Sequence, residues 1–295
     1  MKTLAILLGK FTAGIGNILG RGSALPGKLA RDIDKDFLGK INMPKTIMVT
    51  GTNGKTSTSH FINTILSKKY NLIHNAEGAN MPQGIASLLI KNMDIKGNVR
   101  ADLAVLEVDE AFLHIISKDI FPEYLVLTNI SQDQIDRFTS LKMVEELIEK
   151  GIRTGTKIIA NGNDPSLVNL CSRIDNECIF YGGDFQENKA EFSCPSCGEK
   201  LDYKKGFYGH IGQFTCTGGL KTPELKYKAE NIDLDKGTFT IDNYEFSSPY
   251  KADYMIYNLL ASISLAKEFG IENRVINDAI GDFEIGSGIG IYCKG

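Results

Sequence analysis

A chain of 295 residues holds one large domain or two ordinary ones. Its 42% hydrophobic and 23% charged residues are ordinary for a globular protein, and a net charge of −3 gives no electrostatic reason to expect nucleic acid. No apolar run is long enough to span a bilayer, and the six cysteines are not spaced as a disulfide framework, which points to a reducing cytoplasm.

The chain opens with Leu4-Ala5-Ile6-Leu7-Leu8, a short apolar run broken by Gly9-Lys10 and followed by no clear cleavage site. It reads as an amphipathic helix over 4–19 that packs on a sheet, not as a signal peptide. Residues 20–27 read as a glycine-rich loop. From Lys45 onward, apolar runs alternate with amphipathic ones, the pattern of βα units around a parallel sheet. Strands are predicted at 45–50, 71–74, 102–108, 124–128, 157–161 and 177–181, and helices at 56–69, 82–91, 110–118, 141–153 and 165–173. The strand runs are almost continuously apolar, as strands buried on both faces must be. Between 190 and 250 the alternation turns polar/apolar with Gly and Pro turns, which suggests a small β insertion, ribbon-like over about 192–224. Helical spacing returns at 251–269 through Ile256, Leu259, Leu260, Ile263 and Ala266, and a last helix covers 273–281. The expected fold is α/β, a mostly parallel phosphate-loop-type sheet flanked by helices, with that β insertion.

The chemistry centres on Thr50-Gly51-Thr52-Asn53-Gly54-Lys55-Thr56-Ser57-Thr58, between a predicted strand and a predicted helix. Gly51 and Gly54 can adopt backbone angles closed to other residues and turn amide groups toward a ligand. A helix start near Thr56 adds free N–H groups and a positive dipole end, which suit phosphate. Lys55 would reach terminal phosphates and the Thr56 hydroxyl would ligate Mg²⁺. Gly51, Thr52, Asn53, Gly54, Lys55, Thr56 and Ser57 are therefore the candidate ATP-binding residues. The alternative, a tight turn with a solvent-facing lysine, requires no ligand.

Four further stretches end predicted strands. Leu103-Ala104-Val105-Leu106-Glu107-Val108-Asp109-Glu110 delivers carboxylates where open α/β sheets place ligands. Glu107 is the candidate to bind Mg²⁺ or hold its water, while Asp109 and Glu110 could instead open the next helix. Asn75 to Ile85 forms an Asn- and Gly-rich loop near the same face of the sheet, where loops commonly carry binding groups, or a plain turn with Pro82 placed to open a helix. After Thr128-Asn129, Asp133 and Asp136 could position substrate or water, or cap a helix and pair with Arg137. In Asn161-Gly162-Asn163-Asp164-Pro165, Asp164 is a helix N-cap, and Asn161 or Asn163 could read an adenine or ribose.

Cys194-Pro195-Ser196-Cys197-Gly198 and Cys216 have the spacing of a zinc ribbon whose fourth cysteine would stand at 219. That position is Gly219, with His210 as a substitute ligand, or the ribbon is degenerate and metal-free. Cys171, Cys178 and Cys293 are isolated in the chain.

Together, G-T-N-G-K-T, E-G-A-N-M-P-x-G-I, L-E-V-D-E-A, T-N-x-x-x-D-Q-x-D-R, N-x-N-D-P and C-P-x-C-G resemble the MurT branch of the Mur ligase family over nearly the whole chain. The resemblance implies the central ATP-binding domain of a lipid II isoglutaminyl synthase subunit. Such a subunit uses ATP and Mg²⁺ to activate the α-carboxylate of D-Glu in lipid II as an acyl phosphate. Ammonia from a GatD-type glutaminase partner then gives D-isoglutamine, in cytoplasmic peptidoglycan synthesis. It also implies that Lys55 and Thr56 serve ATP, Glu107 the magnesium, Asn258 the adenine region, and Cys194, Cys197 and Cys216 a zinc ion. Met255 replaces the first Asn of the family's Y-N-x-Y-N, and the fourth ribbon cysteine is replaced by Gly219. The family's catalytic aspartate is expected in a C-terminal domain beyond 295, so no catalytic residue is assigned, and the glycine run at 286–290 stands where a link to that domain would begin. The expectation is that this chain binds ATP and does not amidate lipid II by itself. Another Mur-type amide ligase, or a non-catalytic ATP-binding fragment, are the competing readings.

Overall fold

The structure is a computed structural model that describes residues 1–19, 24–75, 79–131, 140–184 and 191–283. The Asp133, Asp136 and Arg137 cluster, the loop residues 20–23 and the 286–290 run lie outside the described residues.

In chain order, α1 (Lys2–Leu19) and α2 (Leu25–Ile33) precede β1 (Lys45–Thr50), α3 (Lys55–Leu66), β2 (Leu72–His74), α4 (Pro82–Asn92) and β3 (Leu103–Glu107). Then follow α5 (Leu113–Asp119), β4 (Tyr124–Leu127), α6 (Leu141–Gly151), β5 (Lys157–Asn161), α7 (Pro165–Cys171) and β6 (Cys178–Gly183). The last third holds β7 (Asp202–Tyr208), β8 (Ile211–Thr215), β9 (Tyr227–Asp233), β10 (Thr238–Ile241), β11 (Tyr244–Ser247), α8 (Asp253–Glu268) and α9 (Asn273–Gly281).

Nine strands form one sheet in the order β11-β10-β9-β6-β5-β4-β1-β3-β2. The pairs from β2 to β9 are parallel; only β10 and β11 run antiparallel to their neighbours. Helices cover both faces, which explains the continuous apolar strands. Ile47, Val49, Val105 and Val126 point into a core with α3 and α8, while Met48, Leu106, Leu125 and Leu127 point into a core with α4, α5 and α6. β1 lies between β3 and β4, so strand order reverses there. In open α/β sheets the crevice beyond such a switch point is where ligands bind.

Two expectations are corrected. Residues 20–27 are not wholly a loop, because α2 starts at Leu25 with Pro26 in its first turn, a position that needs no N–H. Gly27 is required there by packing: a Cβ would collide with Gln83 O on α4, and its N–H donates to Ser87 Oγ at 2.8 Å. Of the stretch 190–250, only the part carrying β7 and β8 forms a separate two-stranded unit, whereas β9, β10 and β11 extend the large sheet. Their half-polar alternation is that of a sheet edge with one face toward solvent.

Candidate functional site

The phosphate-type loop sits on the switch-point strand. Gly51 and Gly54 have φ of 133° and 81°, values that side chains with a Cβ rarely adopt. Space forbids a Cβ as well: at Gly51 it would collide with Thr128 Oγ1, and at Gly54 with Asn258 Oδ1. The loop is pinned by the end of β4. Thr52 N–H donates to Asn129 O at 2.8 Å, Thr128 Oγ1 donates to Asn53 O at 2.7 Å, and Ser131 N–H donates to Thr52 Oγ1 at 3.1 Å. Asn53 adds a bond from its N–H to Asn129 Oδ1 at 3.2 Å. These contacts fix the loop before any ligand arrives.

Gly54 caps α3 in the left-handed conformation without a side-chain cap, and the first helical bond is Thr58 N–H to Gly54 O. The N–H groups of Lys55, Thr56 and Ser57 precede that bond, so they form the anion-facing end of the helix. Thr56 and Ser57 are half-buried in this first turn. Lys55 is folded back across the loop: Nζ donates to Gly51 O at 2.5 Å, to Thr52 O at 3.0 Å and to Glu110 Oε2 at 3.1 Å.

Glu107 ends β3 in register with Val49 and is buried. Asn75 grips its backbone from both sides, accepting from Glu107 N–H at 2.8 Å and donating to Glu107 O at 2.8 Å. Asn80 Nδ2 donates to Glu107 Oε1 at 3.0 Å, and Oε2 is buried with no hydrogen-bond partner. Glu110 is wholly buried; its Oε1 is likewise without a hydrogen-bond partner. A buried carboxylate oxygen left unpaired is costly, and a cation or a water held by one would remove the cost. The residues present therefore fit a nucleotide phosphate with a divalent cation. Of the two readings of the acids after Glu107, neither is simply the helix opening. Asp109 Oδ1 accepts from Ala111 N–H in a turn, Glu110 pairs with Lys55, and α5 starts only at Leu113.

Asn258 lies on α8, buried against Gly54, with Nδ2 directed at Met255 Sδ at 3.6 Å. The structure thus brings Asn258 to the phosphate loop. Asn161 and Asn163 are fully buried and already bonded. Asn161 Nδ2 donates to Thr128 O at 3.4 Å and its Oδ1 accepts from Asn163 N–H at 3.0 Å. Asn163 Oδ1 accepts from Gly183 N–H at 2.9 Å and from Tyr257 OH at 3.0 Å, and its Nδ2 donates to Gly212 O at 3.3 Å. That side chain ties β6, α8 and the β8 ribbon together. Reading a base would require either amide to exchange these bonds. Asp164 is the predicted N-cap of α7, accepting from Ser166 and Leu167 N–H at 2.9 and 3.3 Å.

The ribbon gathers Cys194, Cys197 and Cys216 with their sulfurs within 4.8 Å of one another. Cys197 and Cys216 Sγ are 3.3 Å apart, and Gly218 N–H donates to Cys216 Sγ at 3.3 Å. That amide holds the Cys216 thiol below its usual range, toward the thiolate a metal prefers, while burial pushes Cys194 up. Three donors fit three corners of a tetrahedral zinc; at the sequence position of the fourth cysteine stands Gly219, at φ 95°, where a Cβ would meet nothing within 4 Å. His210 does not fill the fourth corner. Its Nε2 lies 3.3 Å from Asp164 Oδ2, so the substitute-ligand expectation is corrected. Cys171 and Cys178, isolated in sequence, meet in the fold, where the hydrogen bond between them raises the Cys171 thiol well above its usual range.

Sequence reasoning named the loop of Asn75 and Asn80 and the strand-end acid Glu110 without giving any of them a role, and it gave none to Thr128. The signal for Glu110 was present, an acid three residues after Glu107, but only the fold shows that it faces Lys55.

The Mur ligase middle domain family matches residues 49–266. The chain is 31% identical over 304 residues to the MurT subunit of the glutamine-hydrolysing lipid II isoglutaminyl synthase of Staphylococcus aureus (strain COL), covering 99% of this chain and 68% of that protein. It is 35% identical over 292 residues to the MurT subunit of Streptococcus pneumoniae, covering 93% and 64%. Among solved structures, a type C pseudomurein peptide ligase from Methanothermus fervidus superposes with a TM-score of 0.70 at 24% identity, over 85% of this chain and 52% of the other. MurF from Acinetobacter baumannii gives 0.60 at 16% identity, over 89% and 49%. The chain spans about two thirds of the length of these MurT relatives and about half of those solved chains. On the middle-domain match and the MurT relatives, this chain belongs to the Mur ligase family of ATP-dependent ligases in peptidoglycan synthesis, and within it to the MurT group.

Proposed function

We propose that the chain is the ATP-binding portion of a MurT-type amidotransferase subunit, acting on the cytoplasmic side of the membrane on lipid II. In this reading it promotes transfer of the γ-phosphoryl group of ATP to the α-carboxylate of D-Glu. Ammonia released from glutamine by a GatD-type partner then displaces phosphate to give D-isoglutamine. The observation that carries the reading is the meeting, at one switch point, of the loop with Lys55 and the buried, partly unpaired carboxylate of Glu107.

The chain's own residues divide the work as follows. Amides at the start of α3 and the glycine-permitted turn receive the phosphates. Lys55 exchanges its loop carbonyls and Glu110 for phosphate oxygens. Thr56 Oγ1 and Glu107 would hold Mg²⁺, which when bound would supply positive charge beside the transferred phosphoryl group. Asn75 and Asn80 keep Glu107 aimed by bonds at both its backbone and its carboxylate. Asn258 backs the loop at Gly54. Cys194, Cys197 and Cys216 would hold a zinc ion that braces the ribbon, and residues 191–221 form a unit appended to the ATP-binding domain by Asn163 and by His210 on Asp164.

The test is made in the producing cell. Exchange of Lys55 for Ala in the chromosomal copy is expected to shift muropeptides from D-isoglutamine to D-glutamate, read by mass spectrometry. Unchanged amidation would remove the reading.

A further inference from the structure

α1 is apolar on two opposite sides. Ala5, Ile6, Gly9 and Ala13 are buried, and a Cβ on Gly9 would lie 2.8 Å from Ile90 Cδ1 of α4. The other side carries Leu4, Leu7, Leu8 and Phe11, which are 52%, 50%, 38% and 67% exposed. Positions i, i+3, i+4 and i+7 form one stripe along a helix. Exposed leucines standing singly need no explanation, but a contiguous apolar stripe does. α2 packs beside α1 and adds Leu25, 58% exposed.

Charge says what covers this face. The first 31 residues contain Lys2, Lys10, Arg21, Lys28 and Arg31 and no acid, whereas the remainder of the chain holds 28 Lys and Arg against 36 Asp and Glu. α2 then adds the exposed Asp32, so through Ile33 the apolar stripe lies in a predominantly cationic segment, five cations to one acid, of an otherwise acidic protein. We propose that α1 and α2 form a peripheral docking surface for an anionic lipid bilayer. Leu4, Leu7, Leu8 and Phe11 would enter the interface while the flanking cations meet the headgroups. A second copy of this chain fits less well, because a two-fold contact would set the same cations against each other. No helix among the described residues is long and apolar enough to cross a membrane, so the attachment would lie on the surface and be reversible.

The surface also connects to the site. α2 is held on the first turns of α4 through Gly27 and Ser87, and α4 begins just after Asn80, which holds Glu107. For its purpose the inference rests on the proposed lipid-linked substrate, which would present its sugar-peptide head close to such a surface. Its test does not depend on that reading, because it measures vesicle binding without turnover.

The experiment is co-sedimentation of the chain with vesicles of phosphatidylcholine, with and without phosphatidylglycerol. Binding is expected only with the anionic lipid, falling as salt is raised. The variant Leu4→Gln/Leu8→Gln/Phe11→Gln is expected to bind about tenfold or more weakly, and Lys10→Glu/Lys28→Glu to lose the lipid selectivity. Both should keep the wild-type melting temperature and MgATP affinity, since Leu4, Leu8, Phe11 and Lys28 are exposed, Lys10 is half-buried, and all are away from the loop. Absence of binding to anionic vesicles, or equal binding by the apolar triple variant, would overturn the proposal. So would a dimer in light scattering that the triple variant abolishes, since it would show that a second copy covers the stripe.

Discussion

Replacing Lys55 should cost more than nucleotide binding. In the folded chain Lys55 is 11% exposed in its side chain and Glu110 is not exposed at all, with the ion pair at 3.1 Å. The other Glu110 oxygen has no hydrogen-bond partner, so Lys55→Ala leaves a buried carboxylate with its one ion pair gone. Breaking a buried pair from one side costs about 3–5 kcal/mol, against a total stability for a domain of about 5–15 kcal/mol. Two loop carbonyls, of Gly51 and Thr52, lose a donor as well. Adding Glu110→Gln removes the stranded charge, and the double variant is expected to recover more than half of the loss. The assay is urea unfolding followed by circular dichroism, where a slope of about 1–3 kcal/mol per molar turns the free-energy loss into a midpoint shift of about 1–5 M for the single variant. Equal midpoints for Lys55→Ala and Lys55→Ala/Glu110→Gln would refute the reasoning, because Glu110 would then not need its cation.

Three other outcomes are expected. Gly54→Ala, which meets both a φ of 81° and the Asn258 side chain, should weaken MgATP binding by about tenfold or more in calorimetry, an energy of about 1.4 kcal/mol; wild-type affinity would show that the turn tolerates a Cβ. His74 has its ring centroid 4.8 Å from that of His60, and burial, with His60 adding repulsion, holds it down to about 3. Since the unfolded imidazole titrates near 6.5, the unfolded state binds the extra proton first, so this group's share of stability is intact above about 6.5 and is lost as pH falls toward 3, by up to about 1.4 kcal/mol per pH unit. His74→Phe should flatten that acid limb in urea titrations, and an unchanged slope would contradict the assignment. For the ribbon, metal analysis of protein purified without chelator should find zinc that Cys197→Ser lowers and His210→Ala does not; a zinc-free folded protein would show a ribbon held by packing alone.

Much of the fold was legible because burial on both faces writes a strand as an unbroken apolar run, as in Ile47-Met48-Val49 and Leu103-Ala104-Val105-Leu106. The loop was legible because only glycine serves at Gly51 and Gly54. α2 was hidden because Pro26 and Gly27 mark a loop in sequence, yet here proline opens a helix and glycine answers a close contact with α4. β9, β10 and β11 were read as part of the 190–250 insertion because an exposed sheet edge and a small insertion share the same alternation. The pairings of Lys55 with Glu110, Asn163 with Gly212 and His210 with Asp164 join residues 46 to 55 positions apart, which no local pattern encodes. Asn258 was found through the family resemblance alone, and its contact with Gly54 is a product of the fold.

The central claim is that the chain binds MgATP through the 51–57 loop. Isothermal titration calorimetry on three proteins tests it most directly: the wild type, Lys55→Ala/Glu110→Gln as the folded variant lacking the loop lysine, and Lys45→Ala. Lys45 begins the same strand but stands over the Phe269 ring at 4.7 Å, away from the loop. Saturable binding by the wild type and Lys45→Ala, with binding lost or sharply weakened in the double variant, is the predicted result. Equal affinity of all three, or no binding by any, would contradict the account.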